Sequence, residues 1–454
     1  MLEKNAGAVV EYRSEPAGTE GREGKDGTTV MDAELYRSCI EILREELVPA
    51  MGCTEPIAVA YAGALARKTL GRKPDRVELT VSGNIIKNVK SVIVPHTGGR
   101  KGLPTAVAAG ICYGDAEKEL QVLAEAAEAQ LAGLDAFLRD TPINIEKSTA
   151  ACPFDIQVRL LAGEDSAFVR IVGTHTNVVQ VQKNGAPLVD KPFSDEAVQA
   201  PENRKLLTVE NIVEFADCLR VEDVKPILER QIQYNMAIAK AGLEGHYGAE
   251  IGRILLRSYG NAVQNRAKAW AAAGSDARMN GCELPVVINS GSGNQGMTTS
   301  IPVIVYAREC GVSEDLLYRA LAVSNLVTIH LKTGIGSLSA YCGATSAGAG
   351  AGAGICYLYG GRYDEIAHTV VNALAINSGM VCDGAKASCA AKIASAVEAG
   401  LLGWQMNCHD SEFCGGDGIV IKGVENTIRA VSELARKGMR ATDDEIIHIM
   451  IDNG

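Results

Sequence analysis

The chain has 454 residues, of which 47% are hydrophobic and only 5% aromatic, and its formal net charge is −11. This composition is typical of a globular protein of two to three domains, and the acidic excess argues against nonspecific binding to nucleic acid. No apolar stretch reaches the roughly 18 residues of a membrane span, and the N-terminus lacks the apolar core of a signal peptide. We therefore expect a cytoplasmic protein without nucleic-acid or membrane partners, whose thirteen cysteines form no disulfide framework.

The N-terminal segments come first in chain order. Residues 1–30 are rich in glycine and charged residues and lack periodicity, so we expect a disordered extension. A helix is predicted to begin after the N-cap Asp32 and to end by Pro49. A second helix is predicted over 56–70, with Gly71 as its stop signal.

The character of the sequence changes at Pro74, where strand signals begin. Runs rich in β-branched residues, several of them alternating, predict strands at 76–81, 91–94, 155–161, 168–172 and 178–182. Helical patterns lie between them at 103–112 and 116–138. A Gly-Glu-Asp stretch and Asn184-Gly185 indicate two hairpin turns. Residues 74–200 are therefore predicted to form a small inserted α/β domain.

From Thr208 onward nearly all the signals are helical. The predicted windows are 208–219, 221–241, 248–272, 296–310, 313–329, 340–358, 363–376, 385–399 and 423–436. The Gly-Ala repeat at 348–354 is read as a helix whose glycines permit close packing. We predict an α+β protein: a mostly α-helical catalytic domain, discontinuous in sequence (32–72 and 205–454), with the α/β domain inserted into it.

Three cysteines lie in small-residue sequence towards the C-terminal end of this helical region. Cys342 and Cys382 are forty positions apart, and six residues separate Cys382 from Cys389. Clustered ferredoxin motifs and structural zinc sites both use shorter spacings. Spacing alone therefore leaves a cluster, another metal or simple core packing open.

Five blocks, in order along the chain, carry a resemblance to a known family. They are MGCTEP (51–56), SGNIIKNVKSVIVPHTGG (82–99), INSGSGNQGMTTSIPV (288–303), LKTGIGSLSAYCGATSAGAGAG (331–352) and GMVCDGAKASC (379–389). Through these blocks the chain resembles the L-cysteine desulfidase family and, more distantly, the iron–sulfur L-serine dehydratases. The resemblance implies β-elimination from L-cysteine, which yields hydrogen sulfide, ammonia and pyruvate.

The resemblance also implies a [4Fe–4S] cluster held by Cys342, Cys382 and Cys389. The dehydratases space their close pair more widely and take a fourth ligand from a C-terminal cysteine, whereas this chain ends HIMIDNG. We therefore expect the fourth iron to be open as a Lewis acid, or to be capped by Cys53 until substrate arrives. No pyridoxal phosphate is expected, because no lysine stands out as a Schiff-base residue.

The matched blocks supply the remaining candidate site residues. Cys53 is the candidate base, since the amides at the start of the next helix can lower its thiol pKa; a buried small residue is the alternative. The candidate substrate contacts are Thr54, Glu55, Asn84, Lys87, His96, Ser292, Asn294 and Gln295. A structural role remains equally open for those between 84 and 96.

Three functions compete at this point. The first is an iron–sulfur lyase acting on a small amino-acid substrate, L-cysteine. The second is L-serine dehydration by the same kind of site, and the third is a non-enzymatic iron–sulfur redox sensor. A sensor needs the cluster but not a base at Cys53. A homo-oligomer is compatible with the sequence, which leaves the oligomeric state open.

Overall fold

The computed structural model describes residues 31–125, 128–193, 201–336 and 338–452. The predicted disordered extension, 1–30, lies outside the described residues. The α-helices are α1 Ala33–Glu46, α2 Thr54–Leu70, α3 Gly83–Val89, α4 Gly102–Tyr113, α5 Leu131–Asp140, α6 Val209–Cys218, α7 Lys225–Glu244, α8 Ile251–Tyr259, α9 Val263–Met279, α10 Gly293–Cys310, α11 Glu314–Ile335, α12 Gly343–Leu358, α13 Tyr363–Ile376, α14 Cys389–Cys408, α15 Val424–Glu433 and α16 Arg440–Asp452.

The strands form one large and one very small sheet. They are β1 Pro49–Met51, β2 Arg76–Val81, β3 Ile143–Lys147, β4 Asp155–Ala162, β5 Asp165–Val172, β6 Val178–Lys183, β7 Ala186–Asp190 and β8 Pro285–Val287. Six of them make a sheet of order β3-β2-β4-β5-β6-β7, in which β2 and β3 are parallel and the other pairs antiparallel. β1 pairs with β8 separately. The predicted α+β class is confirmed.

The hairpins of the large sheet form where turn chemistry predicts them. Gly163 and Glu164 connect β4 to β5, and Asn184-Gly185 connects β6 to β7 with both residues at positive φ, as a type I′ turn requires. The predicted strand at 91–94 is wrong: Ile93 makes a single bridge to Lys101. Pro95 follows immediately, lacks the N–H that a ladder needs, and begins a turn.

Two strands of the large sheet were not predicted, and one helix lies differently from expectation. β3 and β7 are edge strands whose residues are mostly exposed, so they lack the alternation that marks a half-buried strand. α1 contacts α6 and α11 in the helical part, whereas α2 packs against α4 and strands β4 to β6. Because α2 is rich in alanine and buried on nearly every side, its sequence does not indicate which neighbour it faces. The predicted domain boundaries stay a prediction.

The helical part is built around α12, which contacts α10, α11, α13 and α14. A Cβ atom on Gly348 would lie 2.1 Å from the carbonyl oxygen of Ala396, and one on Gly400 would lie 2.1 Å from that of Gly348. The backbones of α12 and α14 therefore touch directly, as expected for the Gly-Ala repeat. The predicted window 248–272 is two helices, because Gly260 at φ 78° ends α8. None of the described helices is long and apolar enough to cross a membrane.

The glycine contact between α12 and α14 gives a stability prediction. Gly348→Ala introduces a Cβ against a backbone carbonyl that cannot move independently, so we expect the free energy of unfolding to fall by about 3 kcal/mol. The matched control is Gly133→Ala in α5, where no described atom lies within 4 Å of the new Cβ. That change should stabilise by up to about 1 kcal/mol through helix propensity. Urea unfolding of the two variants measures both effects, and equal stabilities would contradict the packing argument.

A buried carboxyl on α9 gives a pH prediction. Asp276 is fully buried, its Oδ2 accepts from the Gly252 N–H at 3.1 Å, and burial raises the pKa of its carboxyl to about 6. Above its ordinary pKa of about 3.9 the folded state holds this proton more tightly than the unfolded state, so the unfolding free energy falls as pH rises to about 6. The Asp276→Asn variant has no carboxyl group to titrate at this position, so its unfolding free energy does not fall for this reason. Between pH 4.5 and pH 7.5 the unfolding free energy of the variant, measured by urea unfolding, should rise by about 2 kcal/mol relative to that of the wild type. The same difference between the two proteins at both pH values would contradict the prediction.

Candidate active site

A cavity of about 110 Å³ lies where helix N-termini from distant parts of the chain meet. Cys53, Ser292 and Cys342 are the N-cap residues of α2, α10 and α12, and Cys389 is the first residue of α14. All four helix starts contribute to the cavity. In the described residues, none of the three N-cap side chains makes a capping hydrogen bond to its helix. The partial positive charge of four N-termini therefore faces the cavity and favours anions there.

The short β1–β8 pair brings the first two of these N-termini together. Pro49–Met51 pairs antiparallel with Pro285–Val287, so the loop carrying Cys53 lies beside the loop that begins α10. Ser290 and Gly291, at φ 49° and 76°, form a tight turn. Thr54 Oγ1 donates to the Gly291 carbonyl at 2.8 Å and ties the two loops together.

A buried network of amides fixes the loop before α10. Asn289 Nδ2 donates to Asn325 Oδ1 at 3.0 Å, and Asn325 exchanges two hydrogen bonds of 2.9 Å with Gln231. Asn235 accepts from the Val287 N–H at 2.8 Å. Satisfied buried amides hold a unique geometry because breaking any one leaves an unpaired polar group. Ser292, Asn294 and Gln295, three of the predicted substrate contacts, are thus presented to the cavity by a rigid support.

The three predicted cluster cysteines all line this one cavity. Tyr341 and Val381 form an antiparallel bridge, with the Cys342 N–H donating to Met380 at 3.0 Å and the Cys382 N–H to Ala340 at 2.6 Å. This bridge brings Cys342 and Cys382 side by side although forty residues separate them. Cys389 packs from the start of α14 in an apolar cluster with Cys53.

The charges around Cys382 favour its thiolate, whereas burial raises the pKa of the Cys389 thiol. The neighbouring Cys342 thiol, with Lys87 and the Gly384 N–H, holds the pKa of Cys382 at about 5 despite burial. The same hydrogen bond, together with burial, raises the pKa of Cys342. Lys392 lines the cavity and donates to the Val381 carbonyl at 2.6 Å. Cationic side chains thus stand on the side of the site where thiolate ligands would carry negative charge.

The donor set suits an iron–sulfur cluster better than a single ion. Among the described residues, no group of three or more His, Cys, Asp or Glu side chains forms a site for a metal ion. Cluster cysteines ligate separate irons, so they stand further apart than the ligands of one ion. Soft thiols, helix N-termini and lysines around one cavity are surroundings that suit such a cluster.

Cys53 belongs to a small hydrogen-bonded group in the cavity lining. Its Sγ donates to Glu55 Oε2 at 3.1 Å, while Asn88 Nδ2 and His175 Nε2 lie 3.4 and 3.8 Å from Glu55 Oε1. Burial would raise the pKa of Glu55, but the His175 imidazole and the Cys53 thiol hold it at about 2. Glu55 is therefore a carboxylate that fixes the direction of the Cys53 thiol.

The expected lowering of the Cys53 thiol pKa is wrong. Burial and the adjacent Glu55 carboxylate raise that pKa well above its usual value, and they outweigh both the Glu55 backbone N–H and the Arg278 charge. A helix N-terminus lowers a thiol pKa only when desolvation does not dominate. Cys53 is thus a protonated hydrogen-bond donor in this structure.

Several cavity residues were not predicted from the sequence, among them His175 and Arg278. His175 lies in the Gly-Thr-His-Thr loop between β5 and β6, its ring edge-on to Phe154 at 4.8 Å. Arg278, in the last turn of α9, is buried and donates to Asn294 Oδ1 at 3.2 Å. A histidine between two predicted strands was the available signal for the first. Nothing local distinguishes Arg278 from a helix-terminal cation.

Other predicted contacts lie away from the cavity lining. Asn84 Nδ2 donates to Asp443 Oδ2 on α16 at 2.8 Å, and buried Lys87 pairs with the same carboxylate. Lys87 also donates to the Cys382 carbonyl at 3.4 Å, so it supports a cysteine loop from behind. His96 Nδ1 lies 3.2 Å from Glu283 Oε1 in a separate loop contact.

Two lysines near the cysteine loops, Lys332 and Lys386, have distinct surroundings. Lys332 is buried, lines the cavity and donates to the Gly336 carbonyl; burial lowers its pKa to about 8. Lys386 pairs with Asp383 at 2.5 Å in the cysteine loop. Both are thus held by neighbours near the cysteine loops.

Comparison with known proteins places this geometry in a family. The family described as serine dehydratase alpha chain matches residues 116–448, a range that contains all three cavity thiols of the 342–389 region. A UPF0597 protein of Desulfitobacterium hafniense is 56% identical over 92% of this chain and 97% of its own length. A UPF0597 protein of Lachnoclostridium phytofermentans is 48% identical over 92% and 100%, and one of Treponema denticola is 44% identical over 93% and 99%.

The chain belongs to the serine dehydratase alpha chain family. It also shares the UPF0597 family with these relatives, which extend over the segment that carries Cys53. The serine dehydratase family is one of lyases, so the protein is a lyase-type enzyme.

Proposed function

We propose that the protein is an iron–sulfur-dependent lyase that eliminates hydrogen sulfide from L-cysteine and releases pyruvate and ammonia. The observation that carries this proposal is a single cavity lined by the three thiols, the Cys53–Glu55 pair and the cations Arg278 and Lys392. The lyase family, in which iron–sulfur clusters are typical, supports the same class of reaction.

In this proposal Cys342, Cys382 and Cys389 hold a [4Fe–4S] cluster. When bound, the cluster supplies a Lewis-acidic iron that stabilises negative charge developing on the substrate. The protein's own contribution begins with the polar environment. Lys87 and Lys392 fix the carbonyls of the segment around Cys382, at 3.4 and 2.6 Å. These cations hold the thiolates in place and offset their charge.

Removal of the Cα proton is assigned to Cys53. Glu55 directs its Sγ by a 3.1 Å hydrogen bond, and Asn88 and His175 hold Glu55. Cys53 acts as a base in its thiolate form: its proton passes to solvent water before the Cα proton is taken, a loss that the buried Arg278 charge favours and Glu55 opposes. The Cα–H electron pair then forms the Cα–Cβ double bond, the Cβ–S bond breaks, and the sulfur leaves as sulfide. The resulting aminoacrylate hydrolyses in water to pyruvate and ammonia.

L-serine dehydration is the second candidate function, and the serine dehydratase family match favours it. The two reactions differ only in the leaving group at Cβ. A thiolate is a soft leaving group that suits iron, whereas hydroxide leaves more readily if it is protonated. Both require the same Cα–H abstraction, so the cavity residues have the same roles in either case.

The deciding experiment compares the two amino acids with anaerobically purified, iron-loaded protein. Pyruvate formation is followed for both substrates and sulfide release for L-cysteine. We expect a higher kcat/KM for L-cysteine. Faster turnover of L-serine would replace the first function by the second, and turnover of neither by iron-replete protein would overturn both.

A further inference from the structure

A buried arginine without a counter-ion faces the cavity. Arg278 is only 2% exposed and lines the cavity, and its Nε and Nη2 have no hydrogen-bond partner among the described residues. Its Nη1 donates to Asn294, a neutral amide. No described carboxylate lies within ion-pair distance of it. A buried charge left in this state is costly, so an arginine of this kind indicates an anion that is bound in use.

The position of the guanidinium defines where that anion would lie. A Cβ atom on Gly293 would come within 2.4 Å of Arg278 Nε and 2.7 Å of its Cζ, so the guanidinium lies directly against the first residue of α10. The N–H groups in the first turn of a helix have no partner within that helix and point at the same space. Two open guanidinium donors beside a helix N-terminus match the planar, two-oxygen shape of a carboxylate.

We propose that Arg278 and the first turn of α10 bind the α-carboxylate of the amino-acid substrate. This inference rests on the proposed function and deepens it, because it defines the substrate class as α-amino acids with a free carboxylate. The amide of L-cysteine and the decarboxylated amine are excluded.

The first test measures how much more tightly the protein binds a charged ligand than a neutral one, and it does not depend on activity. Pyruvate and its neutral amide, pyruvamide, have nearly the same shape and are titrated calorimetrically into the full-length iron-loaded protein. We expect the wild type to prefer pyruvate by roughly 100-fold, the value of a charge-assisted contact. Arg278→Gln should reduce this ratio to less than about five, and Arg278→Lys should restore part of it.

A second variant keeps the charge of Arg278 but displaces its guanidinium. Gly293→Ala places a methyl group against the guanidinium and should also reduce the ratio, so the proposal does not depend on one variant folding. Circular dichroism of each variant shows whether the fold is retained. Retention of the wild-type ratio in folded Arg278→Gln would overturn the carboxylate site, as would failure of the wild type to bind pyruvate.

Kinetics separate this site from the proposed function and from a purely electrostatic role. Arg278→Gln should raise the KM of the substrate about 100-fold while kcat changes much less, because the contact is present before and during the reaction. If Arg278 served only as a counter-ion for Cys53, kcat would fall and the pyruvate-to-pyruvamide ratio would not change, which would overturn the assignment. If the wild type turned over neither amino acid, an Arg278-dependent pyruvate preference would still support the carboxylate site while the proposed function failed.

Discussion

Cys382→Ser is expected to leave the protein without iron and without lyase activity. Protein purified without oxygen should contain about four irons per chain and be brown, whereas the variant should contain less than about one. Turnover should fall at least about 1000-fold, because a serine hydroxyl does not replace a soft thiolate ligand. The backbone around the site should persist, since the bridge between Tyr341 and Val381 and its hydrogen bonds involve no side-chain sulfur.

The same substitution elsewhere provides the control. Cys408 is exposed at the end of α14 and lies outside the cavity lining. Cys408→Ser should keep both the iron content and the rate. Iron content in Cys382→Ser equal to that of the wild type would contradict the cluster assignment, and zinc in colourless wild-type protein would contradict it independently.

The sequence was most informative about structural features that depend on a local pattern of residues. The Gly-Ala repeat predicted a closely packed helix, and Gly348 against Ala396 is the contact that makes it so. The α+β class followed from a change in periodicity near Pro74. The three cysteines were ambiguous by spacing because a strand-like bridge between residues 341 and 381 brings two of them together, and such long-range pairing leaves no periodic signal.

What could not be predicted depends on contacts between distant segments. β1 and β8 are three residues each, too short for alternation to be visible, yet their pairing brings Cys53 to the α10 loop. His175 reaches the site from the large sheet and Arg278 from the end of α9, and neither belongs to a recognisable motif. The Cys53 pKa was predicted wrongly for a related reason. It is set by burial and by the position of the Glu55 carboxylate, and both depend on the folded structure. The roles of the individual site residues stay a prediction.

Cys53→Ser is the change that separates catalysis from cluster binding. Iron content should be unchanged, because three other thiols hold the cluster, while kcat should fall by about 100- to 1000-fold, the usual contribution of a positioned base. Serine retains a donor toward Glu55 Oε2, so the hydrogen bond and the carboxylate should be preserved. The loss then reports the chemistry of the sulfur rather than a collapsed site.

The control for this last change is Cys310→Ser. Cys310 is half-buried and hydrogen-bonds to Tyr359 at 3.1 Å, outside the cavity lining, so a serine there should leave kcat and iron unaltered. A redox sensor would need the cluster alone and would be indifferent to Cys53. Full activity in Cys53→Ser would therefore show that Cys53 is not the base. Another cavity group would then have to accept the Cα proton, and Lys332, whose pKa is lowered by burial to about 8, is the best candidate. Loss of iron together with activity, in a variant whose circular dichroism shows a retained fold, would instead favour Cys53 as a fourth ligand.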